Sequence, residues 1–313
     1  MAQRHGLIGL LSLALGLTSP VFADAPKNMV LIPAGPFIMG SDKKDERNLG
    51  KEFGSGKPWY LDEHPEHSET LPAFYLDKYE VTHAQYRDFV LFAAYKAPDY
   101  WTETGYVFTF NQAALDAAPE EILRKLAVGV AKIDMDLRKA SREELLKVIK
   151  EHFAEYGRVP VSQITWQNAY DYCQWAGKRL PSEKEWEKAA RGEKGQEYVW
   201  GAKWQAGWTN SGEEEWVHGA APVGSYAKDK SPYGIYDMAG NVSEWVDGWY
   251  QAYPKSTQTS RMFGQKYRVA RGGGWSGEGH YALELFHRGA YRLNLPLNKS
   301  FIDVGVRCAM DAP

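Results

Sequence analysis

Cysteine is nearly missing from this chain of 313 residues, which has Cys173 and Cys308 and no other. An even pair in an oxidising compartment reads as a disulfide closing a long loop; the alternative is a free catalytic thiol. Basic residues are not in excess. The formal charge of -3 argues against a nucleic-acid binder, which would carry a basic face. Long hydrophobic runs are lacking too: Gly6 to Leu17 is too short for a transmembrane helix, and no later segment supplies one. Solenoid and propeller repeats are absent, and so are a P-loop and a dinucleotide fingerprint. The glycines at 272 to 274 are contiguous, not spaced for phosphate.

What is present is globular: 44% hydrophobic and 25% charged residues allow a sizeable core. Twelve Trp, nineteen Tyr and thirty Gly suit a loop-rich fold whose irregular backbone is braced by aromatic rings. Arg4 and His5 precede the first apolar run, and Val21-Phe22-Ala23 forms a small-x-small cleavage signal. Residues 1–23 therefore read as a signal peptide, and residues 24–313 as one domain exported to a bacterial periplasm or secreted. No Cys stands at the cleavage site, which disfavours a lipoprotein anchor.

Met29 to Gly40 predicts two short strands around a Pro/Gly turn, and Phe74 to Val81 alternates as another strand. Between them, Ser41 to His67 reads as a long surface loop. There His64 and His67 could pair on a metal, although Pro65 opposes the helix that such a pair needs. Capping boxes mark helix starts at Thr82 with Gln85, Ser141 with Glu144, and Ser182 with Glu185. A further helix runs from Thr165 to a stop at Gly177. A helical insert is expected over about 112–157. Its first helix would carry the stripe Leu126, Val130, Ile133 and Leu137, and its second Leu145, Ile149, Phe153 and Tyr156. Those stripes pack either on the parent domain or on a partner.

The segment Tyr267 to His280 organises the rest. An alternating run meets three glycines, then presents Trp275, Ser276, Glu278 and His280 within six residues. Glycines in series let backbone approach closely, and the side chains after them project as candidates for a functional cleft. Trp275 offers an apolar wall, and Glu278 and His280 are candidate acid–base groups. If the next stretch is helical, His280, Glu284 and His287 share a face and form a two-histidine, one-carboxylate set suited to a redox metal. Any three polar residues on a solvated face would look the same.

Six segments, Met29–Gly40, Phe74–Val90, Tyr172–Gly192, Tyr233–Trp245, Arg268–Trp275 and Val304–Ala309, resemble the formylglycine-generating enzyme (sulfatase-modifying factor) domain. The resemblance covers nearly the whole mature chain except the insert. It implies a single compact α/β fold, loop-rich and related to C-type lectins, and a structural disulfide between Cys173 and Cys308. It also implies calcium. One site would use the side chains of Asp237 and Glu244 with the carbonyls of Gly240 and Val242, and a second would use Asn210, Ser211, Glu215 and Val217. At the second, Glu215 stands where the family has Asp. Carboxylates and carbonyls are the hard ligands Ca²⁺ requires.

The family's founding chemistry uses two copper-binding cysteines, whose places are taken here by about Gly277 and Ala282. No spare thiol replaces them, so formylglycine formation is not expected. Arg288 and Arg292 resemble family arginines that brace the segment or meet an anionic substrate. The chain is thus similar to the cysteine-less, pyoverdine-maturation branch. The expectation is an exported maturation or tailoring factor with oxidative chemistry on a periplasmic peptide or protein; the alternative is a binding protein that docks a partner.

Overall fold

The computed structural model describes residues 26–54, 59–213, 216, 219–276 and 284–313. Strand β1 (Met29–Ile32) and β2 (Gly35–Met39) flank the expected turn but belong to different sheets. A short helix α1 (Leu49–Glu52) interrupts the loop that follows. Strand β2 pairs with β3 (His67–Leu71), and β1 pairs with β4 (Phe74–Asp77), which in turn receives β9 (Ala309–Asp311). The sheet β1-β4-β9 therefore joins the two ends of the domain. A second sheet, ordered β7-β6-β5-β8, is built from β5 (Ser243–Trp249), β6 (Tyr267–Arg271), β7 (Arg292–Pro296) and β8 (Val304–Gly305). Its β5–β8 pair is parallel and the other pairs are antiparallel. The architecture is mixed α/β and rich in loops.

The capping boxes are where the sequence puts them. Thr82 and Gln85 start α2 (His83–Phe92). After α3 (Tyr100–Glu103), α4 (Gln112–Ala117) and α5 (Glu120–Arg124), Ser141 and Glu144 start α6 (Arg142–Tyr156). Thr165 caps α7 (Trp166–Trp175), and Ser182 with Glu185 caps α8 (Glu183–Arg191). In each box the side-chain oxygen accepts from the third backbone N–H, a donor the helix itself leaves unpaired.

The first insert helix is not the continuous one expected. It ends at Val130 after a π-helical turn over Lys125–Val130, and Ile133 and Leu137 lie beyond it. Gly129 weakens the helix there, and Lys132 adopts φ +49°, which turns the chain. The Arg124 guanidinium donates to the carbonyls of Leu137, Arg138 and Ala140 and holds the returning loop. Leu126 and Leu137 still reach one core, by this loop and not by a shared helical face. That core also takes Leu145, Ile149, Phe153 and Tyr156 of α6 together with Tyr86, Tyr172 and Cys173 of the parent domain. Of the two packing alternatives, the stripes take the parent domain.

Cys173 and Cys308 form a disulfide, both residues fully buried, with Cα atoms 5.7 Å apart. It ties α7 to the chain just before β9.

Helix α8 is polar yet buried. Glu187 accepts from the Gly40 N–H at 2.7 Å, from Arg191 and from Arg271. A charged helix can lie in the core only when each charge is paired and hydrogen-bonded.

Candidate functional site

The three glycines permit close approach, as expected. A Cβ at Gly273 would sit 2.2 Å from the His287 ring, and one at Gly274 would sit 2.4 Å from the Asp303 carboxylate. Trp275 emerges from this crowded point with its N–H donated to the Asn241 carbonyl at 2.9 Å. Its ring lies on Gly219, where a Cβ would come within 2.4 Å of three ring atoms and φ is +77°. The neighbouring Asn241 side chain accepts from Ala221 N–H and from the Asn210 amide, which also donates to the Gly219 carbonyl. Asn210 and Asn241 thus set the backbone against which Trp275 rests.

A cleft of about 420 Å³ opens beside this ring. Helix α3 and the end of α6 form one wall through Tyr100, Glu103, Thr104 and Tyr156, and Trp216, Gly219, Ala220 and Trp275 form the other. Ser162 and Gln163 lie between them. The insert reaches the site through Tyr156 at the end of α6. A smaller pocket of about 100 Å³ adjoins it, sharing Tyr156, Val159, Trp216 and Ala220 and extending to His152, Glu155 and Pro222.

His83 and Tyr100 form a dyad at the wall. His83 Nδ1–H donates to the Val159 carbonyl at 2.9 Å, which leaves Nε2 as the acceptor of the Tyr100 O–H at 2.8 Å. Burial pushes the Tyr100 hydroxyl well above the ordinary tyrosine value, aided by nearby Tyr156, while hydrogen bonds from Ser162 pull it back. Beneath Gly274, burial pushes the Asp303 carboxyl up to about 6. The Trp275 indole N–H is buried without an acceptor among the described residues. His83, Tyr100, Trp216 and Asp303 had no signal in the sequence, because their neighbours in space lie far away along the chain.

Of the residues singled out in the sequence, Trp275 lines the cleft and Ser276 follows it, half-buried. Glu278 and His280 lie outside the described residues, as do Glu215 and Val217. Arg288 and Arg292, expected either to brace the segment or to meet an anionic substrate in the pocket, take the bracing role. Arg288 is buried against Glu63 and Glu197, and Arg292 holds Glu183 with two hydrogen bonds at 2.7 and 2.9 Å. Each guanidinium fork is satisfied by carboxylates, so neither side chain turns to the cleft. Glu284 and His287 fall in a 3₁₀ turn, Glu284–His287, and His287 is buried with Nδ1 donating to the Ala239 carbonyl at 2.8 Å. His64 pairs with the Lys43 carbonyl, and His67 with the Pro65 carbonyl at 2.8 Å. Among the described residues, no three His, Cys, Asp or Glu converge on a metal position.

The first calcium position is more mixed. Glu80, Asp229, Asp237 and Glu244 are all buried around one guanidinium, Arg307. Burial first, then repulsion from Asp229, pushes Asp237 up to about 8, and burial pushes Asp229 up to about 6. This excess of carboxylates over cations suits a hard divalent ion in chemistry. The geometry suits it less, since Glu244 holds Arg307 through both oxygens, at 2.6 and 2.7 Å, and accepts from Trp186 Nε1. Asp237 accepts from the Gly224 N–H. At the second position the Asn210 amide braces the cleft wall, and the Ser211 hydroxyl is buried with no partner among the described residues.

A loop-rich α/β fold of this arrangement is shared with solved structures. PvdO from Pseudomonas aeruginosa superposes with a TM-score of 0.54 at 20% identity, covering 90% of this chain and 94% of that one. A model described as the sulfatase-modifying factor enzyme 1-like domain matches residues 17–312, and the chain belongs to that family. It is 30% identical to the formylglycine-generating enzyme of Streptomyces coelicolor, over 96% of this chain and 97% of that protein. It is likewise 30% identical to the inactive C-alpha-formylglycine-generating enzyme 2 of Bos taurus, over 98% of this chain and 95% of the relative. No helix among the described residues is long and apolar enough to cross a membrane.

Proposed function

We propose that this protein is an exported maturation factor that holds a periplasmic peptide or protein segment in the Trp275 cleft and works there without a cysteine thiolate. The observation that carries this reading is the disulfide. Both cysteines are buried in it, so no thiol remains to ligate copper or to attack a substrate. The reaction proposed is a two-electron oxidation. Two electrons and two protons leave the bound group, and dioxygen accepts them as hydrogen peroxide. Glu278 and His280, just beyond Ser276, are proposed to move the protons.

The test is a periplasmic extract from a strain lacking the gene, incubated with the purified mature protein and read by mass spectrometry. One component should lose two hydrogens as peroxide appears. Glu278→Gln and His280→Ala should abolish that change with little shift in melting temperature. A sulfatase-type cysteine peptide should emerge unchanged, and formylglycine in it would overturn the thiolate-free reading. A second reading, binding without turnover, draws support from the likeness to the inactive bovine relative. It is favoured if a component is retained through Trp275 with no change in mass.

Calcium is proposed as a structural ion at Asp237, with the carbonyls of Gly240 and Val242 and with Glu244 once it releases Arg307. An ion bound only by the folded form raises the melting temperature, by several degrees at about 100-fold excess over its Kd. Added Ca²⁺ should raise it and EDTA lower it, and Asp237→Asn should remove the response. A melting temperature indifferent to chelator, with no calcium in elemental analysis, refutes the assignment.

A further inference from the structure

A separate cavity lies in the seam between the insert and helix α2 of the parent domain, and it shares no described lining residue with the Trp275 cleft. Its volume is about 210 Å³, the liquid volume of roughly seven waters. Arg87 of α2, Lys150 of α6 and Gln112 of α4 line it, with Thr109 from the 3₁₀ turn before α4. Leu115, Phe153 and Ala154 supply its apolar part. Arg87 donates to Asp88 at 3.3 Å, and its Nε is buried with no partner among the described residues. Lys150 pairs with Asp116 at 2.6 Å, and the Asp116 carboxylate also receives the Gln112 amide at 3.1 Å. Arg142 donates to the Asp116 carbonyl. Arg87, Arg142 and Lys150 against Asp88 and Asp116 leave one positive charge in excess among these five groups.

Charge and lining together select the ligand class. A cation would be repelled by Arg87 and Lys150. A wholly apolar group would leave the Arg87 Nε–H desolvated and unpaired. A dianion would exceed the single excess charge and set polar oxygens against Leu115 and Phe153. A carboxylate on a short apolar chain meets each demand. Its oxygens accept charge-assisted hydrogen bonds from Arg87 and Lys150, and its carbon chain covers Leu115, Phe153 and Ala154. The existing pairs do not stand in the way, because Asp88 and Asp116 are half-exposed and exposed ion pairs are weak. A guanidinium has five N–H donors and an ammonium three, so each can hold a ligand and keep its present partner. We propose that this seam binds the carboxylate of a short apolar ligand, either a free carboxylic acid or the carboxy-terminal residue of a peptide. The bound group joins α2 of the parent domain to α4 and α6 of the insert, so it stabilises the docked insert.

The test uses the intact, disulfide-bonded protein and defined probes, titrated by calorimetry or ligand-observed NMR. Isocaproate stands for the free acid and N-acetyl-glycyl-leucine for the peptide terminus, with isocaproamide and N-acetyl-glycyl-leucinamide as their neutral controls. The better of the two acids should bind about tenfold tighter than its amide, lose affinity as salt is raised and raise the melting temperature. Which acid binds better tells the free acid from the peptide terminus as the source. Arg87→Gln should weaken it about tenfold, and Lys150→Gln about fivefold, as an exposed ion pair would. Lys150→Arg, which keeps the charge, should retain most of the binding. If Arg87→Gln does not fold, Lys150→Gln decides alone, since that side chain is exposed. Trp275→Ala, in the separate cleft, should leave the affinity unchanged. The assignment is overturned if the amides bind as tightly as the acids, or if affinity depends on Trp275 and not on Lys150. Absence of binding by either acid up to millimolar concentration also overturns it.

Discussion

Replacing Glu187 by glutamine should destabilise the folded protein by about 3–5 kcal/mol, the range found when one partner of a buried ion pair is removed. The carboxylate is fully buried and receives Arg191, Arg271 and the Gly40 N–H, with the Tyr253 hydroxyl at 3.3 Å. A neutral amide in its place leaves Arg271, itself fully buried, held by Glu183 as its remaining carboxylate partner. The same substitution should change the acid limb of stability. Burial alone would raise the Glu187 pKa, but Arg271 and Arg191 reverse this and hold it below the ordinary glutamate value. A carboxyl depressed in the folded state stabilises above its unfolded pKa, about 4.3, and that contribution fades as pH falls through the folded value. Wild-type stability should therefore drop below about pH 4, and Glu187→Gln should show a shallower drop from a lower plateau. Urea unfolding at several pH values measures both. A variant within about 1 kcal/mol of wild type at pH 7 would show that the pair is not structurally required.

The second large effect belongs to the disulfide. Its two residues are 135 apart, and closing a loop of that size stabilises by about 4–5 kcal/mol on the chain-entropy model. Because the bond is fully buried, reduction should require opening of the core. The double variant Cys173→Ala/Cys308→Ala should melt about 10 °C lower, given the two to four degrees per kcal/mol expected at this size. It should keep whatever activity the cleft has, since no thiol takes part in it. Two thiols titrating in unreduced, denatured protein would contradict the bond, and lost activity in a folded double variant would contradict the thiolate-free reading.

The helix starts were legible because a capping box closes within four residues. Thr82 with Gln85 and Ser182 with Glu185 need nothing beyond their own turn to form. The stripe from Leu126 to Leu137 misled for the complementary reason. Its spacing fits a helix, yet Arg124 binding three returning carbonyls buries Leu137 equally well from a loop. Arg288 and Arg292 have a common cause too, because their carboxylates at Glu63, Glu197 and Glu183 lie far from them in the chain.

By itself the sequence determined the family, the disulfide partners and the close approach at Gly273 and Gly274, since each depends on residue identity or on neighbours along the chain. It marked Trp275 as a projecting ring for the same reason. Only the tertiary structure decided what that ring faces. Trp275 rests on Gly219, braced by Asn210 and Asn241, and looks across to Tyr100 and Glu103 of α3 and to Tyr156 of the insert. Those groups come from segments separated by most of the domain, and packing of α3 and the insert on the parent core brings them to one cleft. No local pattern encodes that meeting, because side-chain contacts between distant segments are set by how whole layers pack.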